Sequence, residues 1–323
     1  MTESLLYLSR SDVASLGLSM ADIIPALERM FREKGEGRVE MPPKPGIHPR
    51  PDSFIHAMPG YIPELRAAGM KWVGGFPENA HKGLPYISGL IILNNPENGL
   101  PLAVMDCTWI TAKRTGAATA LAARFLARPD SETVGILGCG VQGRSNLEAL
   151  QALFPLSRVM AYDIKPEAAR RYVEEMSLAF GLKMVPVGTP KEAVTGCDLV
   201  VTAGPILRIP HATIEPGWLG EGAFASLVDF DSYWDPAALS EVDKFCTDDL
   251  PQLEYYQTIG YFRHIPPVYA DLGELVTGRK PGRESPRERT MACNLGLALE
   301  DLATARLIYD LAMKKGAGTR LPL

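Results

Sequence analysis

Two hydrophobic rhythms divide the chain. In the first part, Ser19-Met20-Ala21-Asp22 opens a helix with Ile23, Leu27, Met30 and Phe31 at helical spacing, and Gly35 and Gly37 end it. Five prolines between Pro42 and Pro51 predict an extended loop. Short apolar runs predict strands over 53–58, 69–73, 87–93 and 100–105. The last two flank Asn94-Asn95-Pro96-Glu97-Asn98-Gly99, a turn signal that predicts an antiparallel hairpin. An Ala-rich helix over about 111–127 follows and stops before Pro129, because a proline disfavours the helical conformation of the residue ahead of it. Its small residues Gly116, Ala117, Ala118 and Ala120 permit close backbone packing.

From Thr133 the rhythm changes. Strands are expected over 133–137, 159–163, 184–187 and 199–203, with helices over 146–154, 166–180 and 191–195 between them. Strands that alternate with helices predict a parallel, doubly wound sheet. Further strands are expected over 223–228 and 244–247. The segment of about 287–315 reads as one long helix with two lysines in its last turn and Gly316 beyond it. It lies outside the alternating region and is expected to return to the first domain.

Composition narrows the class. The 323 residues suggest two domains at roughly 100–200 residues each. A net charge of −5 argues against electrostatic binding of nucleic acid or a membrane surface. The five cysteines (Cys107, Cys139, Cys197, Cys246, Cys293) are odd in number, far apart and without a CxxC pair, which predicts a reducing cytoplasm and no zinc site. Met1-Thr2-Glu3-Ser4 has no basic segment leading an apolar run, so no signal peptide is expected. No apolar stretch of about 18 residues is present to span a membrane. Histidines 48, 56, 81, 211 and 264 have no ligand spacing, so no metal is expected. The run Arg279-Lys280-Pro281-Gly282-Arg283 reads as a solvated loop.

The sharpest motif is Gly138-Cys139-Gly140-Val141-Gln142-Gly143. It follows an expected strand and precedes an expected helix, and Asp163 lies 20 residues beyond Gly143 at the end of the next strand. That context is a dinucleotide-binding fingerprint. Gly138 allows the tight turn, Gly140 the approach of a pyrophosphate to the helix N-terminus, and Gly143 close helix–strand packing. Asp163 would accept the adenosine ribose and repel a 2′-phosphate, which favours NAD(H) over NADP(H), although Lys165 and Arg170 are nearby.

Three cations stand out before the motif: Lys44 in the proline-rich loop, Lys71 inside an apolar strand, and Arg114 near the start of the Ala-rich helix. An unpaired cation in an apolar strand is costly, and a ligand carboxylate would resolve it. The plainer alternative is three unrelated solvated charges. Asp229 and Asp231 lie just past an expected strand end, where doubly wound folds bind ligands, and either could act as a general acid/base or merely shape a turn. His56 is a strand histidine that could face the same cleft or be structural.

These residues resemble the ornithine cyclodeaminase/mu-crystallin family over nearly the whole chain. The resemblance is carried by Gly69-Met70-Lys71-Trp72-Val73 with Pro77-Glu78-Asn79, by 94–106, by Ile110-Thr111-Ala112-Lys113-Arg114-Thr115-Gly116-Ala117-Ala118, by the glycine motif, and by Asp271-Leu272-Gly273-Glu274-Leu275. Within the family the chain is most similar to the branch with archaeal-type alanine dehydrogenases. The resemblance implies an α/β fold in which a Rossmann-type doubly wound sheet (116–289) is inserted into an α+β substrate and dimerisation domain (1–115 plus 290–323). It implies a homodimer and an NAD(H)-dependent oxidoreductase acting at the Cα of an amino or imino acid, as a dehydrogenase or ketimine reductase. A cyclodeaminase and a non-catalytic cofactor-loaded binding protein are the alternatives. Lys71 and Arg114 match the positions that hold the substrate carboxylate, Lys44 falls where another cation contributes, and Asp231 matches the acid/base aspartate. Two departures stand out. Phe230-Asp231-Ser232-Tyr233-Trp234-Asp235 replaces the usual loop, which leaves Asp229 as an alternative acid. His56 stands near the place where cyclodeaminases carry a glutamate, which counts against ornithine. The expected site is then Asp231 and Lys71 as catalytic residues; Lys44, Lys71, Arg114 and His56 at the substrate; and Gly138, Gly140, Val141, Gln142, Gly143, Asp163, Ile164, Thr202 and Arg114 at the cofactor.

Overall fold

In a computed structural model, which describes residues 4–50 and 53–323, the two rhythms become two compact units. The first unit spans 1–114 and 297–323, and the second spans 115–296. Met1–Glu3, on which the leader reading rests, and Pro51, the end of the proline-rich loop, lie outside the described residues.

The first unit contains β1 (Ser4–Leu8), α1 (Arg10–Ser15), α2 (Met20–Gly35), β2 (Gly46–Ile47), β3 (Phe54–Ile62), β4 (Ala67–Gly75), β5 (Ile87–Asn94) and β6 (Pro101–Asp106), and it ends inside α3 (Thr108–Leu126). The second contains β7 (Thr133–Leu137), α4 (Val141–Gln151), β8 (Arg158–Tyr162), α5 (Pro166–Phe180), β9 (Lys183–Pro186), α6 (Pro190–Val194), β10 (Leu199–Thr202), β11 (Phe224–Leu227), α7 (Pro236–Leu239), β12 (Lys244–Thr247), α8 (Leu250–Thr258), β13 (Val268–Asp271), α9 (Leu272–Thr277) and β14 (Thr290–Cys293). The chain then completes the first unit with α10 (Ala298–Lys315) and β15 (Thr319–Pro322).

The first sheet runs β15-β1-β6-β5-β4-β3-β2, and the expected hairpin is the antiparallel β5–β6 pair. Period-two alternation gives it two faces. On the inner face, Met58, Lys71, Ile91, Met105 and Leu8 form one cross-strand row. Helix α10 packs on this face. A Cβ at Gly60 would meet Leu299 and Leu302, so the glycine admits the helix. On the opposite face Trp72 stands directly across from Leu90, and both are exposed.

The second sheet runs β13-β12-β14-β11-β10-β7-β8-β9, with every pair parallel. Strands β10, β11, β12 and β14 are buried at every residue, as a sheet covered on both faces requires. Chain order reverses between β7 and β10, the switch point at which such sheets bind ligands.

The long helix expected over 287–315 is not one element. Residues 290–293 form β14, inserted between β11 and β12, and only Ala298–Lys315 is helical. Residues 290–296 therefore go with the second unit. Helix α4 begins at Val141, directly on the glycine loop, five residues before the sequence pattern placed it. Its first turn carries no apolar periodicity, so the pattern could not show it.

Candidate active site

The structure divides the candidate residues between the two units. In the first unit, Lys71 projects from β4 onto the buried face and is 1% exposed. The charge is compensated within the chain: Nζ lies 2.5 Å from Oδ2 of Asp301. Arg114, on α3, donates from Nε to Oδ1 of Asp301 at 3.0 Å and from Nη1 to Oε2 of Glu300 at 2.7 Å. A ligand is therefore not needed to explain a cation in this apolar strand, contrary to the premise drawn from the sequence. Glu300 and Asp301 were not singled out there. They occupy the first turn of α10, where the helix dipole favours acids. The available signal was two adjacent acids inside an otherwise apolar run, Ala298-Leu299-Glu300-Asp301-Leu302-Ala303.

Burial pulls the Lys71 pKa down to about 8, with Asp301 opposing the shift and Arg114 adding to it. The neighbouring Cys107 thiol is pushed up to about 11, chiefly by burial. His56 sits two rows along the same face. Its ring stacks on Phe54 with centroids 4.2 Å apart, and burial, then the charges of Lys44, His48 and Lys71, bring its pKa to about 4. His56 is thus a neutral imidazole at pH 7. Lys44, itself buried, belongs to the same electrostatic neighbourhood.

In the second unit the remaining candidates gather at the carboxyl ends of parallel strands. Gly138 follows β7 with φ +102, a conformation that favours glycine, and a Cβ there would meet the Ala203 carbonyl. A Cβ at Gly143 would meet the Gly138 carbonyl oxygen, so helix and strand could not close. At Gly140 a Cβ would meet nothing within 4 Å, which leaves space above the loop. Gly140 is also the N-cap of α4 and has no side chain to satisfy the first-turn N–H groups. Asp163, after β8, accepts the N–H groups of Cys139 and Lys165, each at 2.9 Å, and so ties the glycine loop to the next turn. Val141 and Ile164 are exposed at the loop. The Gln142 side-chain oxygen is buried without a partner among the described residues.

Asp229 and Asp231 follow β11, and the structure gives them different surroundings. Asp229 accepts Thr202 Oγ1 at 2.6 Å and the Gly204 N–H at 2.8 Å. Thr202, expected at the cofactor, has its hydroxyl proton committed to this bond. Burial raises the Asp229 pKa to about 7. Asp231 is 4% exposed, burial raises its pKa too, and its Oδ1 has no partner among the described residues. Between them Phe230 holds φ +62, a left-handed conformation unusual for a non-glycine residue. Asn294, just past β14, is buried with neither amide atom partnered among the described residues. The sequence reading missed it because that segment looked helical.

Together, an uncapped helix N-terminus, an open glycine loop, an acid after the second strand, and orphaned polar atoms at Gln142, Asp231 and Asn294 fit a dinucleotide, which these residues would hold. Among the described residues no group of three or more His, Cys, Asp or Glu could hold a metal, and no helix is long and apolar enough to cross a membrane.

Comparison with known proteins identifies the family. The sequence model of the ornithine cyclodeaminase/mu-crystallin family matches residues 4–316. An alanine dehydrogenase of Archaeoglobus fulgidus is 35% identical over 331 residues, covering 98% of each chain. The structure of Thermococcus litoralis Δ1-pyrroline-2-carboxylate reductase in complex with NADH and L-proline superposes with a TM-score of 0.88 at 36% identity, covering 98% of this chain and 99% of that one. An archaeal alanine dehydrogenase dimer with bound NAD superposes with a TM-score of 0.88 at 34% identity, covering 99% and 100%.

Proposed function

The chain belongs to the ornithine cyclodeaminase/mu-crystallin family, and from that premise we propose that it is an NAD(H)-dependent oxidoreductase transferring a hydride to or from the Cα of an amino or imino acid. The observation that carries the reading is the pairing of a dinucleotide loop with Asp231, a buried acid that keeps one unpartnered oxygen.

When bound, the nicotinamide supplies the hydride chemistry. Reduction of an imine adds one hydride to carbon and one proton to nitrogen. Asp231, its pKa raised by burial, gives the proton, and in the reverse direction it takes one from the amine. Lys71 and Arg114 hold the substrate carboxylate, with Lys44 adding a third positive charge to a cluster that Asp301 and Glu300 otherwise neutralise. His56, neutral and stacked, packs beside the substrate without exchanging a proton. Two further readings accompany this one. The exposed Trp72–Leu90 face of the first sheet supports a homodimer. Five free buried thiols support a reducing, cytoplasmic setting.

A screen of NADH oxidation with 2-oxo acids plus ammonia and with preformed cyclic imines tests the reading. Net oxidation of NADH supports it. Ammonia release from a diamino acid without net change in NADH would make the protein a cyclodeaminase instead.

Asp163 sets cofactor choice in this proposal. Asp163→Ser is expected to weaken NADH binding and relax discrimination against NADPH. Fluorescence titration of both cofactors checks it, and a wild-type protein that prefers NADPH would remove Asp163 from the role.

Lys71 sets a pH limit. Its folded pKa, about 8, lies below the ordinary lysine value, so between about 8 and 10.5 the unfolded chain binds the extra proton. The cost of burying the ammonium is thus fully present below about 8 and is relieved as pH rises. Carboxylate capture runs the other way, because the clamp loses charge above about 8. The expected result is an alkaline decline in kcat/KM near pH 8 that moves upward in Lys71→Arg, whose guanidinium does not titrate there. An unchanged profile in the variant would clear Lys71 of the decline.

A further inference from the structure

A cavity of about 270 Å³ in the second unit is lined by Asp231 together with Arg208, Arg263, His264, Ile209 and Trp234. At about 30 Å³ per water-sized group it has room for a short side chain. Its lining is uneven: apolar residues, one buried acid, and two exposed arginines whose guanidinium groups approach each other over neighbouring Gly260. The convergence is visible at Gly260, φ +95, where a Cβ would lie 3.1 Å from Arg263 Nη2 and 3.7 Å from Arg208 Nη2. Each arginine makes a hydrogen bond to a backbone carbonyl, Arg208 to Ile259 and Arg263 to Gly260, and neither forms an ion pair among the described residues. Five N–H donors per guanidinium leave most of them available. Two like charges held together without a counterion favour an incoming anion.

Two of the lining residues follow backbone positions under strain. Phe230, φ +62, precedes Asp231, and Phe262, φ +51, precedes Arg263. Their rings pack on each other with centroids 4.8 Å apart. Such conformations cost about 1–3 kcal/mol each and persist where surrounding structure enforces them, commonly at ligand sites. The pair fixes the acid and the cation in one frame.

We propose that this cavity receives the side chain of the substrate and that Arg208 and Arg263 bind a carboxylate at its end, so that the enzyme works on amino dicarboxylic acids and their imines. This rests on the reading of Asp231 as the proton donor to the substrate nitrogen. The distal carboxylate goes to the arginine pair, on the same unit as Asp231. Buried Trp234 supplies the apolar wall for the aliphatic stem.

The test gives the wild-type protein NADH and ammonia with either oxaloacetate or pyruvate, which differ by a terminal carboxylate. The expected result is a kcat/KM preference for oxaloacetate of at least about tenfold, the scale of one charge-assisted contact, carried mainly by KM. The preference is expected to fall at least about tenfold in Arg208→Ala/Arg263→Ala and to recover partly in Arg208→Lys/Arg263→Lys, with thermal unfolding as the control for folding. A wild-type enzyme that favours pyruvate, or a double variant that keeps the preference, overturns the pocket and leaves the proposed hydride transfer standing. If neither oxo acid nor any other substrate of the screen is turned over, the proposed function fails, and calorimetry of succinate against propionate decides the pocket. Tighter succinate binding that is lost in the double alanine variant supports it, and equal binding overturns it.

Discussion

Asp231→Asn is expected to lower turnover by about 10²–10⁴-fold, the usual worth of a positioned acid–base group, while folding and NADH binding survive. The substitution is nearly isosteric, and Oδ1 of Asp231 has no partner to lose. Asp229→Asn is expected to behave differently. Both Asp229 oxygens accept hydrogen bonds, from the Thr202 hydroxyl and the Gly204 N–H. An amide can accept on one side only, so its oxygen would keep the Gly204 N–H while its NH2 faced the Thr202 hydroxyl, which would have to accept instead of donate and lose its present acceptor. The expected cost is about 1–3 kcal/mol of stability, with turnover reduced far less than in Asp231→Asn. Steady-state turnover of one responsive substrate, read beside NADH titration and thermal unfolding, separates the two. A collapse confined to Asp229→Asn would move the acid by two positions. Near-normal turnover in both variants would assign the proton to solvent or another group.

The contrast between these aspartates shows what the sequence could and could not say. Position after a strand in an alternating α/β pattern was enough to mark both residues. Nothing in the sequence says which carboxylate is consumed by local hydrogen bonds, because Thr202 and Gly204 come from a different strand end. The dinucleotide loop was legible because its requirements are local: the positive φ at Gly138 and the close approach of Gly143 to the Gly138 carbonyl are backbone demands that glycine meets, while at Gly140 the fold leaves open space. The strand over 290–293 was not legible. A four-residue apolar run buried on both faces has no alternation to distinguish it from helix, and it merged with the true helix behind it. That misreading hid Asn294 and the start of α10, and with it the acids that neutralise Lys71 and Arg114. The arginine pair was hidden for another reason: Arg208 and Arg263 stand in separate loops without periodicity, and only the fold brings them over Gly260.

Asp301→Ala is expected to destabilise the first unit by about 3–5 kcal/mol, because it leaves Lys71 as a buried charge without its partner. The size follows from position. Lys71 lies in a cross-strand row with Met58, Ile91, Met105 and Leu8, and both members of the pair are inaccessible to water. Arg114 also loses its contact with Asp301 and keeps the one with Glu300. Adding Lys71→Met to Asp301→Ala is expected to recover most of the loss, since an apolar chain of similar length then completes an apolar row and no uncompensated ammonium remains. Urea denaturation of the two variants beside wild type checks both statements. A single variant within about 1 kcal/mol of wild type would mean that water or backbone groups already solvate Lys71, and the buried pair would cease to explain the cation. The double variant also separates two roles that the single substitutions confound. If the stability returns while capture of amino or imino acids does not, Lys71 is held in the core at a cost to stability for the sake of binding a carboxylate. If both return together, Arg114 and Lys44 suffice for the substrate, and the Lys71–Asp301 pair is a structural device of the sheet alone.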